Sequence, residues 1–204
     1  MQLFRMNSIR FFDILLAMLG VVILLPLFIL IALCIKISSK GSVFFNQTRV
    51  GKNNIDFKLF KFRTMYVQAE AKGQLTVGGR DSRITKVGYY LRKFKLDELP
   101  QFFNVLLGQM SLVGPRPEVR KYVNFYTAEQ LKVLDVLPGI TDYASIAFRN
   151  ENDLLEKATN PEEYYIKEIM PKKIELNKQF IEQRTLKNYF SILFATILTS
   201  VKGK

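Results

Sequence analysis

From Ile14 to Ile35 the chain reads ILLAMLGVVILLPLFILIALCI, 22 residues without a charge. A helix covers a bilayer core with about 20 apolar residues, so this run brings the chain to a membrane. No A-x-A-like cleavage site follows, and the run is too long for a signal-peptide core, so it reads as a retained segment. Arg5 and Arg10 precede it, while Lys36 and Lys40 follow. Positive charge on both flanks leaves the positive-inside rule without a winner. Pro26 sits just past the middle, where it lacks an N–H and crowds the carbonyl of Val22. Two arms of about a dozen residues would each reach roughly 18 Å, half a membrane. The residues alone leave a kinked span and a re-entrant hairpin equally open.

No second long apolar run exists, so the rest of the chain belongs on one side. Tyr189 to Val201 (YFSILFATILTSV) is too short to span and reads as an interfacial or packed helix. The organisation expected is an anchoring segment over 1–40, a catalytic domain over 41–187 and a terminal helix over 188–204. The chain carries 30 Lys+Arg against 18 Asp+Glu, a formal charge of +12, which calls for an anionic partner. It has no histidine and one cysteine, Cys34, inside the apolar run. Zinc hydrolysis and every Ser-His or Cys-His mechanism are excluded. Carboxylates, basic groups and an oxygen-loving cation such as Mg²⁺ remain.

Local patterns predict a mostly α fold with a small β element. Ser42 to Phe62 reads as two short strands around a turn at Val50–Asn54. Ile84 to Phe94 has helical spacing. Thr127-x-x-Gln130 is a capping box for a helix stopping before Pro138-Gly139. Asn160-Pro161-Glu162-Glu163 opens another helix, which Pro171 should break or kink before a second piece to about Lys187.

The chemistry gathers in LDELPQFFNVLLGQMSLVGPRPE, Leu96 to Glu118. Pro100 fits a helix's first turn, Phe103, Leu106 and Leu107 keep helical spacing, and Gly108 is a stop. Asp97 is then at or beside a helix N-terminus, where anions are favoured. An acidic N-cap is routine, but here Arg80, Arg83, Lys86, Arg92, Lys93 and Lys95 lie upstream and Arg116 downstream. Such a basic shell would keep Asp97 and Glu98 ionised and hold a polyanion. An ionised carboxylate can attack phosphorus or ligate Mg²⁺. Gly114-Pro115-Arg116-Pro117 presents its guanidinium stiffly, which suits a phosphate as well as a plain turn would. Lys61-Phe62-Arg63 reads equally as phosphate ligands or as the wet face of a strand.

Together these stretches resemble the monotopic phosphoglycosyl transferases, the bacterial sugar transferases that start glycan assembly on a polyprenyl phosphate. The matching pieces are RFFD (Arg10–Asp13), the Pro26 helix, KFRTM (Lys61–Met65), DSRITKVGYYLRK (Asp81–Lys93), the LDELPQ…GPRPE run and PGIT (Pro138–Thr141). The resemblance implies a membrane helix broken at Pro26 and re-entrant, with amphipathic interfacial helices and a compact catalytic domain on the cytoplasmic face of the bacterial inner membrane. It implies a UDP-sugar and polyprenyl phosphate as substrates, Mg²⁺ as cofactor, membrane lipid as a partner, no nucleic acid, and leaves an oligomer open. Asp97 would be nucleophile and Mg²⁺ ligand, Glu98 its partner, and attack of Asp97 on the sugar-bearing phosphate would expel UMP and leave a covalent aspartyl-phosphosugar. Lys61, Arg63, Arg92 and Arg116 would bind phosphates, and Thr141 and Arg149 would line the nucleotide-sugar pocket. After PGIT the family's pattern is left at Asp142, Ser145 and Phe148, which puts the sugar's identity in doubt.

Two other readings compete. A Mg²⁺-dependent UDP-sugar phosphodiesterase would use the same carboxylates with water as acceptor. A membrane-tethered nucleic-acid binder would use the +12 charge, but no base-stacking or groove-reading motif accompanies it.

Overall fold

The computed structural model describes residues 2–67 and 81–201, with side chains from residue 8 to 199. Arg80 and Lys202 lie outside the described residues. The apolar run sits in one helix, α1 (Gln2–Ser38), which continues through Pro26. The helical backbone is not interrupted at Pro26, so any change of direction there would be a bend within one helix. A proline removes one hydrogen bond from a helix in an apolar setting without ending it. Among the described residues, the stretch Ser8–Ser38 is the one helix long and apolar enough to cross a membrane.

An all-apolar run hides which side faces protein. The structure separates the two faces. Ile9, Asp13, Ala17, Phe28, Ile31 and Ile35 are buried, three or four residues apart or in multiples of that spacing, and so form one stripe. Val22, Ile23, Ile29, Leu30 and Leu33 on the other side are exposed. The stripe runs about 39 Å along the helix at 1.5 Å per residue, and it rests on the protein body from end to end.

Strands β1 (Phe44–Val50) and β2 (Asp56–Phe62) form the expected antiparallel hairpin, with Phe44 opposite Phe62. Helix α2 (Lys86–Lys93) starts at Thr85, whose hydroxyl accepts from the Gly88 N–H at 2.9 Å. Helix α3 (Gln101–Leu106) ends just before Gly108, at φ +80°. Strand β3 (Ser111–Val113) is followed by α4 (Arg120–Val123) and then by a 3₁₀ turn over Gln130–Asp135. Thr127 and Gln130 do exchange reciprocal hydrogen bonds there, but what they open is this 3₁₀ piece. Strand β4 (Gly139–Thr141) pairs in parallel with β3, two three-residue strands too short to carry a periodicity.

Short helices α5 (Tyr143–Ala147), α6 (Glu151–Lys157) and α7 (Pro161–Tyr164) come next, the last capped by Asn160. A π-helical stretch, Tyr165–Ile169, leads straight into α8 (Met170–Glu182). Pro171 was expected to break this helix. It stands just after the π-helical stretch, and the helical backbone runs on through it without a break. Helix α9 (Leu186–Val201) closes the chain, with Tyr189 and Ile192 buried and Phe194 and Ile197 exposed.

Three apolar clusters hold this together. Ile9 and Ala17 of α1 pack with Val105, Met110, Phe180, Tyr189 and Ile192. Phe28, Ile31 and Ile35 pack with Phe62 and Leu91. The third gathers Val119, Val133, Leu155, Ile169 and Ile174, and takes nothing from α1, α2 or α9. Polar locks fix both ends of α1. Arg10 donates to the carbonyls of Val105 (2.7 Å) and Met110 (3.2 Å). Buried Asp13 accepts from Ser111, the Leu112 N–H and the Tyr189 hydroxyl, all within 3.0 Å. At the far end the Arg63 guanidinium donates to the carbonyls of Ser39 (2.8 Å) and Lys40 (2.7 Å).

Candidate active site

Asp97 and Glu98 lie in a single 3₁₀ turn, Leu96–Glu98, ahead of α3 rather than on it. Lys95 enters the turn in the left-handed region at φ +58°. Neighbouring residues on so tight a turn point in different directions, and these two carboxylates have unlike surroundings.

Glu98 is gripped. Lys61 donates to its Oε1 at 3.0 Å, and Arg116 meets both oxygens, one through Nη1 at 3.1 Å and the other through Nη2. Burial alone would push the Glu98 carboxyl up, but the charges of Arg116 and Lys61 outweigh it and hold the group well below the usual range. The Arg116 guanidinium is raised in turn, chiefly by Glu98. Asp97 is buried as well, and among the described residues its carboxylate has no hydrogen-bonded or ion-paired partner. Burial and the adjacent Glu98 charge push Asp97 up, offset in part by Lys61, Arg92 and Lys95. The expectation that the surroundings keep both acids ionised therefore holds for Glu98 and is reversed in direction for Asp97.

The loop bearing Arg116 is held from several sides. Gly114 donates to the Thr141 carbonyl at 3.0 Å, and Gly139 donates to the Pro115 carbonyl at 2.9 Å. A Cβ on Gly139 would stand 2.1 Å from the Gly114 nitrogen, so this crossing of GPRP and PGIT admits only glycine. The Arg116 N–H donates to Asp142 at 3.0 Å, while Asp142 also caps α5. Asp142, which reads in sequence as a departure, is thus part of the support of Arg116. Behind the loop, Arg49 donates to the Pro117 carbonyl (3.1 Å) and to Glu118 (3.3 Å), whose other oxygen accepts from the Tyr165 hydroxyl. Arg49, Glu118 and Tyr165 escaped the sequence reading because their partners are 47 to 69 residues apart along the chain.

The other expected site residues divide. The Arg92 Nε donates to Thr64 Oγ1 at 2.9 Å; burial pushes its guanidinium down, opposed most by the Asp97 charge. Arg63 instead closes the end of α1 and does not join the group. Thr141 is buried, its hydroxyl 2.7 Å from that of Thr196 on α9. Arg149 is exposed on the turn between α5 and α6. Among the described residues no three acidic or thiol side chains gather into a metal cage. Asp97, whose carboxylate has no partner among the described residues, would suit a Mg²⁺ that draws the rest of its oxygen shell from water and substrate phosphates.

A carboxylate pair thus lies beside Lys61, Arg92 and Arg116, on a body packed along one long apolar helix. The chain belongs to the bacterial sugar transferase family, whose profile matches residues 4–203. It is 41% identical over 167 residues to a UDP-N-acetylgalactosamine-undecaprenyl-phosphate N-acetylgalactosaminephosphotransferase of Aeromonas hydrophila, covering 78% of this chain and 38% of that protein. It is 38% identical over 200 residues to a UDP-glucose:undecaprenyl-phosphate glucose-1-phosphate transferase of Escherichia coli, covering 94% and 40%. A putative undecaprenyl-phosphate N-acetylgalactosaminyl 1-phosphate transferase of Bacillus subtilis is 42% identical over 132 residues, covering 65% and 70%. The chain therefore spans about two fifths of the length of the first two relatives.

Proposed function

We propose that this protein transfers a sugar 1-phosphate from a UDP-sugar to polyprenyl phosphate, through a covalent intermediate on Asp97. The contrast between the two carboxylates carries the reading: Glu98 is locked by two cations, while Asp97 is buried beside them without a partner among the described residues. In the first step an Asp97 oxygen forms a bond to the sugar-bearing phosphorus. The bond from that phosphorus to the bridging oxygen breaks, and UMP leaves with the electron pair. In the second step an oxygen of polyprenyl phosphate attacks the same phosphorus and Asp97 leaves as carboxylate. Arg116 and Lys61 keep Glu98 charged and present their remaining N–H groups to phosphate. Arg92 supports the same charge from the Thr64 side. Asp97 would hold Mg²⁺, which when bound neutralises phosphate charge and favours the ionised carboxylate.

The membrane arrangement belongs to the same proposal. A helix that crossed the bilayer alone would be ringed by lipid, but α1 has one face on the protein throughout, and Arg10 and Arg63 tie both its ends to one body. This supports a re-entrant helix that dips into one leaflet, at the cytoplasmic face of the inner membrane, with the bare side of α1 and the exposed side chains of α9 in lipid. A tag at residue 1 should be reached from the cytoplasm only.

Incubation with UDP-sugar and polyprenyl phosphate tests the reaction. Lipid-linked sugar diphosphate supports transfer, whereas sugar phosphate formed regardless of lipid points to hydrolysis. A phosphosugar mass on the Asp97 peptide, before lipid is added, tests the intermediate.

A further inference from the structure

Arg49 stands outside every motif by which the site was expected, yet its side chain ends at the GPRP loop. In β1 the half-buried Gln47 and Arg49 alternate with exposed Asn46 and Thr48, so both lie on the hairpin's inner face. The register sets Gln47 opposite Leu59 and Arg49 opposite Phe57, and Lys61 shares that face of β2. One face of the hairpin therefore sends two cations to the site. Lys61 goes to Glu98, and Arg49 goes to the loop that carries Arg116.

The two cations act differently, because the Arg49 guanidinium is engaged by the protein itself. Its Nε and Nη2 donate to Gln47 Oε1 at 3.1 and 2.7 Å. Its Nη1 donates to the Pro117 carbonyl at 3.1 Å and to Glu118 Oε1 at 3.3 Å. The neighbouring Val50 N–H donates to the Glu118 carbonyl at 2.8 Å, and the Tyr165 hydroxyl donates to the other Glu118 carboxylate oxygen. Pro117 and Glu118 are thus pinned to the end of β1 through main chain and side chain. Arg116 is the residue before them, set between two prolines, so fixing Pro117 fixes where its guanidinium starts. A planar fork holds several acceptors at set angles, which an ammonium cannot do. We propose that Arg49 is a positioning residue for transfer: it brackets Pro117 and Glu118 so that Arg116 closes on Glu98 and faces the substrate phosphate. The inference rests on the proposed part of Arg116 in phosphate transfer. It makes the hairpin a common mount for both cations that grip Glu98, Lys61 directly and Arg116 by way of Arg49.

Arg49→Lys keeps the charge and loses the fork, and the grip on Glu98 reports its effect without any substrate. Glu98→Gln should lower the melting temperature of the wild-type protein, and that drop should shrink to about half or less in the Arg49→Lys background. Equal drops in the two backgrounds, or none in wild type, overturn the proposal. The second arm is turnover of UDP-sugar with polyprenyl phosphate by the full-length protein in detergent. Arg49→Lys should lower kcat roughly 30-fold and leave the KM for UDP-sugar within about threefold. In an Arg116→Lys background the same change should cost less than about threefold more, because its effect passes through Arg116. Losses that multiply in full would show a merely structural role, and wild-type turnover by Arg49→Lys would show that the bracket is not needed. Either result overturns the proposal. Gln47→Leu, which strips the back of the fork and keeps Arg49, should give the same pattern at smaller size, and it decides the matter if Arg49→Lys does not fold. Failure of the wild-type protein to turn over UDP-sugar overturns the transfer reading instead, while the melting arm still decides whether Arg49 holds Arg116 on Glu98.

Discussion

Arg116 closes on Glu98 with both terminal nitrogens of its guanidinium, across 18 residues of chain. A planar fork matches two carboxylate oxygens in a way that an ammonium cannot. Arg116→Lys should keep the charge and lose the fork, lowering kcat/KM roughly 100-fold while circular dichroism stays native. Activity within threefold of wild type would show that only charge is needed there.

The two carboxylates should respond to amidation with opposite signs. Asp97→Asn removes a buried group whose ionised form the fold disfavours, so its melting temperature should equal or exceed that of wild type. Transfer should fall at least ~10³-fold, with membrane association kept. Glu98→Gln leaves Lys61 and Arg116 without their counter-charge and should lose roughly 3 kcal/mol, read from denaturant melts. A destabilised Asp97→Asn, or one that still turns over, would contradict the assignment.

The pH dependence of stability follows from Glu98. Its folded-state pKa lies well below 4.5, the ordinary value for a glutamate, so its stabilising contribution is fully present above that value. The contribution is lost as pH falls through the depressed folded value. Wild-type protein should therefore lose stability relative to Glu98→Gln below about pH 4.5, and the two melting curves should converge in acid. Parallel curves between pH 7 and pH 3 would argue that Glu98 is not held charged.

At the other end of the membrane helix, Gly41 adopts φ +121°, and a Cβ there would stand 2.0 Å from Arg63 Nη1. Gly41→Ala should both strain the backbone and displace the guanidinium from the Ser39 and Lys40 carbonyls. A loss of about 1–3 kcal/mol is expected, with faster proteolysis after residue 40. A variant as protease-resistant as wild type would show the lock to be dispensable.

Much of the site was legible because its parts are contiguous. Asp97, Glu98 and Arg116 sit in one run with prolines that announce turns, and Lys61 alternates with core residues of a strand. Arg63, two residues on, looked equivalent, but it lies just past the end of β2 and its guanidinium goes to the carbonyls of Ser39 and Lys40. Asp142 looked like a loss because its work is to hold a backbone N–H across 26 residues, which no local pattern records. The π-helical stretch before Pro171 was illegible for a related reason: its extra residue per turn has no compositional mark, and it turns Tyr165 onto Glu118.

The stripe on α1 means that the membrane segment is also a wall of the catalytic body's interior. A truncated chain lacking it would not be a soluble enzyme without an anchor. It would be a body with Leu59, Met110 and Phe62 laid open and the Tyr189–Asp13 contact severed. If α1 enters lipid as proposed, its insertion and the completion of the core would be one event, and a nascent chain should acquire its active-site geometry only where it meets the bilayer.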